Sequence, residues 1–398
     1  MHEEQRFSLD GWLNEELYGF VERNDRVDET KSIIVFDAVR ARDVNRFLDV
    51  EVSSETLASL PGVIAVAEIF DKERGHDDPE MPEGSWQQLV LGRGTPADVY
   101  PELDAPPTPT ELTYAALPKA KSKTLAEKFS ISHLYPKATD HDLQSLLPVG
   151  VDQVAVYNVG QGNCSALCGG SEAPFLYFDT GGGCLQNTRT YPAPLRFCTS
   201  RGPGVVLSHW DFDHWFSALK VPELAELEWL VPDQGGVGKR TLAFAQSLKN
   251  AKFWPDIPSY SWSGGTIVRC TGTTRNDSGL AMFVSMPAGS ILLPADATFD
   301  WIQVPPGTGA LLGLVATHHG AGHVGSPIPR PTPNAKLAYS FGYGNSFAHP
   351  VPTAVALYES EGWQRANTRN SPNGHIWLGD TSKPLGCGRR NCDLATVQ

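Results

Sequence analysis

The sequence contains no apolar run that approaches the roughly 20 residues of a membrane-spanning helix, which disfavours a helical membrane protein. Cysteine is scarce as well: its seven residues are odd in number and scattered, which favours reduced thiols over a framework of disulfides. Residues 1–6 are polar and acidic, so no secretory signal is expected. These absences together predict a cytoplasmic protein with no membrane partner.

An excess of positive charge is also missing. Lys and Arg number 32 against 45 Asp and Glu, and the formal net charge of −13 disfavours a generally basic nucleic-acid binder. A local basic groove stays compatible with this charge, and its candidate residues are Arg189, Arg196, Arg201 and Lys239. The glycine-rich turn at 160–165 lacks the lysine and the spacing of a P-loop, so phosphate binding of that type is excluded.

The chain is long for one domain. Its composition changes near residue 148, which predicts an N-terminal domain of unknown function at 1–148 and a second domain at 149–398. In the first, apolar runs at 32–36 and 62–70 predict strands of a small α/β unit. The proline-rich stretch 105–109 is expected to be extended, as in a linker. Because this domain shows no cluster of reactive residues, it is a candidate docking module for a protein partner.

Four potential metal ligands lie within six residues of the second domain: His209, Asp211, Asp213 and His214. The apolar run 205–207 predicts a buried strand, so the cluster is expected in the loop at the end of that strand. Imidazole and carboxylate groups suit zinc, manganese or iron. The same residues could instead cap a helix, but their density after an apolar strand favours a metal site.

Other apolar runs of the second domain also end in a polar residue. The residues that follow such runs are Asp179, His209, Asp296, His318 and Asn345. In α/β sheets, sites form at the carboxyl ends of the strands. The pattern therefore predicts that these side chains meet at one edge of a sheet.

The ordered set of motifs resembles the metallo-β-lactamase superfamily and, more narrowly, the hydrolase domain of ComEC-type DNA-uptake proteins. The matching segments are 158–163, 178–181, 208–214, 276–280, 293–296 and 318–320, followed by Asn345 and His349-Pro350. The resemblance covers 151–380 and implies an α/β fold, a four-layer αββα metallo-β-lactamase sandwich. The residues before it are expected to add an N-terminal α+β extension or small domain. No membrane channel segment accompanies the motifs, so a role in DNA uptake is not implied.

The resemblance also implies two divalent metal ions, zinc or manganese, and a role for each residue. His209 and Asp211 would bind the first ion, Asp213 and His214 the second, and Asp296 would bridge both; one of His318 and His319, with His318 preferred, would complete the second site. Asp179 would be a buried orienting residue, and Asn345 would lie near the site.

Three departures from the superfamily pattern affect the expected metal centre. Asp211 stands where the second histidine is usual, and no histidine lies between His214 and Asp296, where many relatives supply a ligand. The serine that follows the His-His-Gly motif is Ala321 here. The first site is therefore expected to be weak, filled by manganese, or completed by water.

Two divalent ions about 3.5–4 Å apart share a water and lower its pKa, which predicts attack by a metal-bridged hydroxide on phosphorus or a carbonyl carbon. Asp213 would orient the nucleophile, and His349 or His323 would protonate the leaving group. The aromatic residues of the central cluster could stack on bases or pack the loop against the sheet. They are Trp210, Phe212 and Trp215.

These residues predict a soluble metal-dependent phosphodiesterase or nuclease, with a nucleic acid or nucleotide as its substrate. A first alternative is a hydrolase of a carbonyl substrate such as a lactone, thioester or β-lactam, since one fold hosts all of these activities. A second alternative is an interaction protein with a structural metal site. The ComEC-like ligand pattern and the expected location favour phosphodiesters.

Overall fold

The computed structural model describes residues 7–27, 30–70, 81–147, 150–169, 173–192, 194–368 and 374–379. The strands are β1 (Glu16–Arg26), β2 (Lys31–Arg40), β3 (Gly62–Phe70), β4 (Trp86–Tyr100), β5 (Thr108–Ala116), β6 (Gln153–Val156), β7 (Ser165–Cys168), β8 (Leu176–Phe178), β9 (Gly204–Val206), β10 (Glu228–Val231), β11 (Asn250–Phe253), β12 (Ser259–Trp262), β13 (Gly265–Arg269), β14 (Leu280–Met286), β15 (Gly289–Leu293), β16 (Leu311–Val315), β17 (Pro331–Tyr339), β18 (Gln364–Asn367) and β19 (Ile376–Gly379).

The α-helices are short. They are α1 (Ala41–Asn45), α2 (Ser54–Ala58), α3 (Lys119–Lys128), α4 (Asp140–Leu146), α5 (Phe212–Trp215), α6 (Ser217–Lys220), α7 (Pro222–Ala225), α8 (Lys239–Ser247) and α9 (Pro352–Ser360). Single 3-10 turns occupy Leu185–Thr190, Asn276–Ser278, Phe299–Trp301 and Thr317–Gly320. Within the described residues, no helix is both long enough and apolar enough to cross a membrane.

The chain divides into two compact units. The first consists of Met1–Leu134 and Gly235–Gln246, and the second of Tyr135–Gln234 and Ser247–Gln398. The domain boundary predicted near residue 148 falls on 148–149, which lie outside the described residues. The sequence did not indicate that the distant segment 235–246 would join the N-terminal unit.

The first unit contains a five-stranded antiparallel sheet that closes on itself. The strands pair in the order β1-β2-β3-β4-β5, and β4 also pairs with β1. This second pairing is possible because β4 bends between Leu91 and Thr95. Gly94 at the bend has a φ of 109°, and a Cβ there would lie 2.5 Å from the carbonyl oxygen of Leu112, so the position requires glycine.

The strands predicted for this unit are confirmed, but the sheet is larger than the small α/β unit that was expected. The strands at 32–36 and 62–70 are present as parts of β2 and β3, but the sheet also contains β1, β4 and β5. The proline-rich stretch 105–109 is not a linker between domains, because its last two residues, Thr108 and Pro109, belong to β5. That strand pairs with β4 alone among the described strands, and proline is tolerated at such an edge.

The second unit is built on two seven-stranded mixed sheets. Their strand orders are β11-β10-β9-β8-β7-β6-β19 and β12-β13-β14-β15-β16-β17-β18. In the first sheet, β8 to β11 run parallel to one another. In the second sheet, β15 to β18 are parallel. Each sheet therefore gathers the carboxyl ends of several strands at one edge.

The two sheets pack face to face. One buried cluster contains Val156 and Phe178 of the first sheet together with Met282 and Leu293 of the second. On the outer face of the second sheet, Tyr358 of α9 packs in a separate apolar cluster. On the outer face of the first, the indole of Trp229 donates to the Leu224 carbonyl of α7. Helices therefore cover both outer faces, and the predicted αββα layering is confirmed.

Candidate metal centre

The polar residues that follow four strands meet at one edge of the sandwich. Asp179 follows β8, the segment from His209 to His214 follows β9, Asp296 follows β15, and His318 with His319 follows β16. Of these residues, only His318 has a side chain with appreciable exposure, at 14%. The predicted convergence of these side chains is present in the structure.

The backbone around Asp213 and His214 is held by a glycine-rich loop. The Asp213 carbonyl accepts hydrogen bonds from the amides of Asn163 and Gly182, both at 3.1 Å. A Cβ on Gly181 would lie 1.7 Å from that carbonyl oxygen, so a side chain at this position would push the loop away. The glycines that the sequence placed after β8 therefore allow the loop to approach the ligand-bearing turn closely.

Asp296 lies at the centre of the cluster, and its two oxygens face different histidines. Its Oδ1 lies 3.1 Å from Nε2 of His214 and 3.7 Å from Nε2 of His319. Its Oδ2 lies 3.5 Å from Nε2 of His318 and 3.9 Å from Nε2 of His209. The four imidazoles therefore form two pairs: His214 and His319 lie beside Oδ1, and His318 and His209 lie beside Oδ2.

The carboxylates of Asp213 and Asp211 each lie beside one of these two pairs. Asp213 Oδ2 lies 3.2 Å from Nε2 of His319, and Asp211 Oδ2 lies 3.5 Å from Nε2 of His209. Two sets of three residues bring ligand atoms within 4.8 Å of one another. They are His209, His214 and Asp296, and Asp213, His214 and His319. His319, rather than His318, is therefore the histidine beside the Asp213 and His214 pair.

The orientation of each ring follows from the bond made by its other nitrogen. His319 Nδ1 lies 2.8 Å from the Ser340 carbonyl oxygen. Because a carbonyl oxygen only accepts hydrogen bonds, Nδ1 carries the proton. The lone pair of Nε2 then faces the cluster. His214 Nδ1 lies 2.8 Å from Asp179 Oδ2 and is fixed in the same manner. Such partners orient metal-binding histidines in proteins.

Asp179 occupies the buried orienting position that the resemblance implied for it. It is fully buried, and its carboxylate accepts from the Ser208 amide at 2.7 Å, the Ser208 hydroxyl at 2.8 Å and the Asn163 side-chain amide at 3.0 Å. With His214 it has four donors, so none of its oxygens needs a cation. Its role as an orienting residue agrees with these contacts.

The donor set fits divalent cations. The Nε2 atoms of His209, His214 and His319 are buried and have no hydrogen-bond partner among the described residues. Asp179, Asp211, Asp213 and Asp296 are all buried too, and buried carboxylates need compensating positive charge. The guanidinium of Arg275 contacts Asp211, and divalent cations beside the other carboxylates would supply such compensating charge.

The pKa shifts show how the cluster is compensated without cations. Burial opposes a charged His214, but the Asp296 and Asp179 carboxylates outweigh burial and raise the pKa of this imidazole well above its usual range. The pKa of His319 is raised against burial by Asp296 and Asp213. The pKa of Asp296 is lowered, despite burial, by the histidines around it. Cations that enter the cluster must therefore displace protons.

Arg275 is a member of the cluster that the sequence did not reveal. Its Nη1 lies 3.4 Å from Asp211 Oδ1, and both side chains are buried. Gln234 holds the neighbouring backbone, because its side-chain amide donates to the Arg275 carbonyl at 2.7 Å. The only feature of the sequence that could have indicated a role for Arg275 is its position directly before the matching segment 276–280. The guanidinium leaves the other oxygen of Asp211 directed at His209.

His349 lies beside the cluster, whereas His323 does not contribute. The ring centroids of His349 and His318 are 5.6 Å apart, and those of His349 and His319 are 6.3 Å apart. Asn345 accepts from the His349 amide and donates to its carbonyl, so it shapes the loop instead of facing the ligands. His323 is exposed.

The aromatic residues of the central segment pack inside the fold. Trp210, Phe212 and Trp215 are buried. The indole of Trp210 donates to the Pro232 carbonyl at 2.8 Å, and that of Trp215 donates to the Trp210 carbonyl at 3.1 Å. Stacking on bases, one of the two alternatives for these rings, would require exposed faces, so the structure favours packing.

The four candidate residues of a basic groove do not all belong to one unit. Arg189, Arg196 and Arg201 are exposed. Arg189 donates to the Gly344 carbonyl at 2.6 Å, which ties it to the loop before His349. Lys239 belongs to the first unit.

The similarity of this chain to the known proteins described below is weak. No protein-family model matches it, and no curated protein matches it. Among solved structures, it is similar to CmlA, a diiron β-hydroxylase from Streptomyces venezuelae, at 13% identity over 85% of this chain and 81% of that one, with a TM-score of 0.33. It is also similar to a metal-dependent hydrolase of the β-lactamase superfamily, at 12% identity over 57% of this chain and 98% of that one, with a TM-score of 0.33.

A third similar structure is Zn²⁺-bound PqqB from Methylobacterium extorquens. It is 10% identical over 54% of this chain and 97% of that one, with a TM-score of 0.32. Alignments this weak carry no conclusion about what the chain does. The interpretation of the site therefore rests on its own geometry.

Proposed function

We propose that this chain is a metal-dependent hydrolase of phosphodiesters and that it holds two divalent cations on either side of Asp296. The observation that carries the proposal is the position of this carboxylate, whose two oxygens face two separate sets of buried imidazoles and carboxylates. A structural cation site would need only one such set. Two adjacent sets are typical of centres that perform hydrolysis.

The ligands of each site follow from the distances around Asp296. His209, Asp211 Oδ2, His318 and Asp296 Oδ2 would form the first site. Asp213, His214, His319 and Asp296 Oδ1 would form the second. This assignment differs from the preference drawn from sequence, which put His318 in the second site. It also supplies the first site with the histidine that the segment between His214 and Asp296 lacks.

The chemistry of the donors favours phosphodiesters. Three of the ligands are carboxylates, and carboxylate-rich sites suit hard cations such as manganese. When bound, such cations supply Lewis acidity and a water of lowered pKa, the combination used by many phosphatases and nucleases. The resemblance of the motif set to ComEC-type hydrolase domains supports the same substrate class.

His349 is the residue proposed to protonate the leaving group. The Gly342 amide donates to Gln161 Oε1 at 3.4 Å, which turns the Nε2 amide of Gln161 toward His349 Nδ1 at 3.3 Å. An amide nitrogen only donates, so Nδ1 accepts and the neutral ring carries its proton on Nε2. That N–H can donate a hydrogen bond to the departing oxygen, and transfer of a proton to it would require the imidazolium form of the ring.

The test is hydrolysis of bis(4-nitrophenyl) phosphate and of single- and double-stranded DNA and RNA, with manganese and with zinc. The variants are Asp296→Asn, His318→Ala and His319→Ala, and the matched control is His323→Ala, an exposed histidine four residues after His319 in the sequence. We expect metal-dependent turnover that Asp296→Asn abolishes and that His323→Ala leaves unchanged. Metal content is measured on the same samples.

The number of cations bound per chain distinguishes the two proposed sites. We expect His318→Ala and His319→Ala each to retain about one cation per chain where the wild type holds two. A wild-type chain that is folded and loaded with metal but hydrolyses no phosphodiester would contradict the proposal. Turnover of a lactone or thioester by that sample would assign the chain to carbonyl hydrolysis instead.

A further inference from the structure

A cavity of about 420 Å³ lies beside the proposed proton donor. Its walls come from the loop around Asn345, which includes Tyr343 and His349, and from Arg365 and Asn367 of β18. This volume is within the range of sites for small molecules. None of the described residues that line it is acidic, so the charge of its walls is set by Arg365.

One side chain connects a wall of the cavity to the proposed metal centre. His349 lines the cavity, and its ring is 5.6 Å from that of His318, a proposed ligand of the first cation. A molecule that occupies the cavity therefore lies next to the group proposed to protonate the leaving group. The cavity is in the right place to hold the part of a substrate that extends beyond the scissile bond.

Arg365 is held in place but keeps the end of its guanidinium available. Its Nε donates to Asn367 Oδ1 at 2.9 Å, and its guanidinium carbon lies 5.4 Å from the centre of the Tyr339 ring. Both contacts fix the plane of the group. Among the described residues, its two terminal amino groups have no hydrogen-bond partner. Paired N–H groups in one plane bind both oxygens of a carboxylate or phosphate.

Tyr343 adds a flat surface to the same cavity. Its side chain is 71% exposed, which is unusual for so large an aromatic group. A ring in this position can cover the flat or apolar portion of a ligand whose anionic group binds the arginine.

We propose that this cavity binds a second oxyanion of the substrate, a phosphate or a carboxylate, through Arg365, while the scissile bond lies at the metal centre. The placement of the scissile bond rests on the proposed function, but binding of the oxyanion does not. Arg365 is then a specificity-determining residue. It selects small substrates that carry an anionic group beyond the bond that is cut.

The test is calorimetric titration of the full chain in the presence of EDTA, with phenyl phosphate, benzoate and phenol as probes. These share one ring and differ in the oxyanion, and the absence of cations removes both turnover and binding of phosphate to metal. The variant is Arg365→Gln, and the matched control is Arg330→Gln, an exposed arginine of the same unit that does not line the cavity.

We expect phenyl phosphate or benzoate to bind more tightly than phenol, and Arg365→Gln to weaken that binding roughly tenfold or more. Arg330→Gln should bind as the wild type does, and Arg365→Lys, which keeps the charge without the planar fork, should fall between. The ratio of the two anions identifies phosphate or carboxylate as the preferred group.

Equal affinity of Arg365→Gln and the wild type, or phenol binding as tightly as the anions, would overturn the proposal. So would a lack of binding by the wild type at millimolar concentrations of either anion. Thermal unfolding of both arginine variants checks that they fold alike. Because no hydrolysis is measured, failure of this experiment is distinct from failure of the phosphodiesterase assay.

Discussion

Asp179 shows how a residue outside the proposed ligand set can orient one of its histidines. Its carboxylate accepts from Ser208 twice, from Asn163 and from the Nδ1 of His214. An asparagine of the same size would place an amide nitrogen where one of these donors points. The partner bond of His214 would weaken, and with it the direction of its Nε2 toward Asp296.

We therefore predict that Asp179→Asn lowers cation affinity by about 10- to 100-fold, which is the usual cost of losing a partner of a metal-binding histidine. The measurement is competition for zinc against a chromophoric chelator, with unfolding by urea followed in parallel. Asp256→Asn, an exposed carboxylate elsewhere in the second unit, is the control. Unchanged zinc affinity in a folded Asp179→Asn protein would show that the His214 ring is oriented by other contacts.

His375 is a second residue whose surroundings determine its behaviour, in this case the pH at which it takes up a proton. It is buried, and its Nδ1 accepts from the Asn158 amide at 2.9 Å. Burial lowers the pKa of the imidazole to about 4 from its ordinary 6.5. Below pH 6.5 the unfolded chain therefore binds a proton that the folded chain does not. Stability should fall as the pH decreases from 6.5 and level off below about 4.

The predicted loss from this one group between pH 7 and pH 4 is about 3 kcal/mol. His375→Asn keeps an acceptor but does not titrate, so its unfolding free energy should depend less on pH than that of the wild type by this amount. Urea unfolding at several pH values between 7 and 4 gives the comparison, and His141→Asn, an exposed histidine, is the control. Parallel pH profiles for His375→Asn and the wild type would refute the prediction.

At the scale of elements, local apolar runs were sufficient to predict the strands that carry the site. β9, β15 and β16 are runs of aliphatic residues that end in polar ones, and their burial on both faces makes the pattern continuous. The candidate ligands in the loops after them were identified for the same reason, since they lie next to these runs in sequence.

Other elements could not be predicted because tertiary contacts override their local pattern. β1 reads ELYGFVERNDR, yet it buries Glu22 and Arg23, which a reading of apolar periodicity does not anticipate. β4 contains glycine and proline at its bend, which interrupts the strand pattern. Their partners are far along the chain, and only the closed sheet explains why they are strands.

The choice between His318 and His319 also depends on the backbone of one element. Both residues lie in a 3-10 turn with positive φ, 45° for His318 and 56° for His319. This reversal sends the two adjacent rings to different oxygens of Asp296. Sequence spacing cannot predict such a reversal, because non-glycine residues rarely adopt it. The members of the cluster were therefore predictable, but their division between the two oxygens of Asp296 was not.

At the scale of the whole molecule, the N-terminal unit is not a continuous stretch of chain. Its segment 235–246 includes all of α8 except Ser247, and Arg240 of this helix is buried. The backbone amide and the guanidinium of Arg240 both bond to the fully buried Asp37 of β2, and the guanidinium also donates to the Gly62 and Pro101 carbonyls. Removing one partner of a buried ion pair typically costs 3–5 kcal/mol, because the other charge stays buried without compensation.

This connection predicts that a fragment consisting of residues 135–398 does not hold α8 in its native state. Without β2 and its neighbours, Arg240 loses the carboxylate that compensates its charge, and the buried side chains of Leu242 and Phe244 lose part of their surroundings. We expect trypsin to cleave the fragment after Lys239 and Arg240 and to spare these bonds in the full chain, as followed by mass spectrometry. Addition of a separate 1–134 fragment should restore protection. Equal protection in the fragment and the full chain would mean that the remaining chain alone stabilises α8, and that the N-terminal unit is dispensable for its folding.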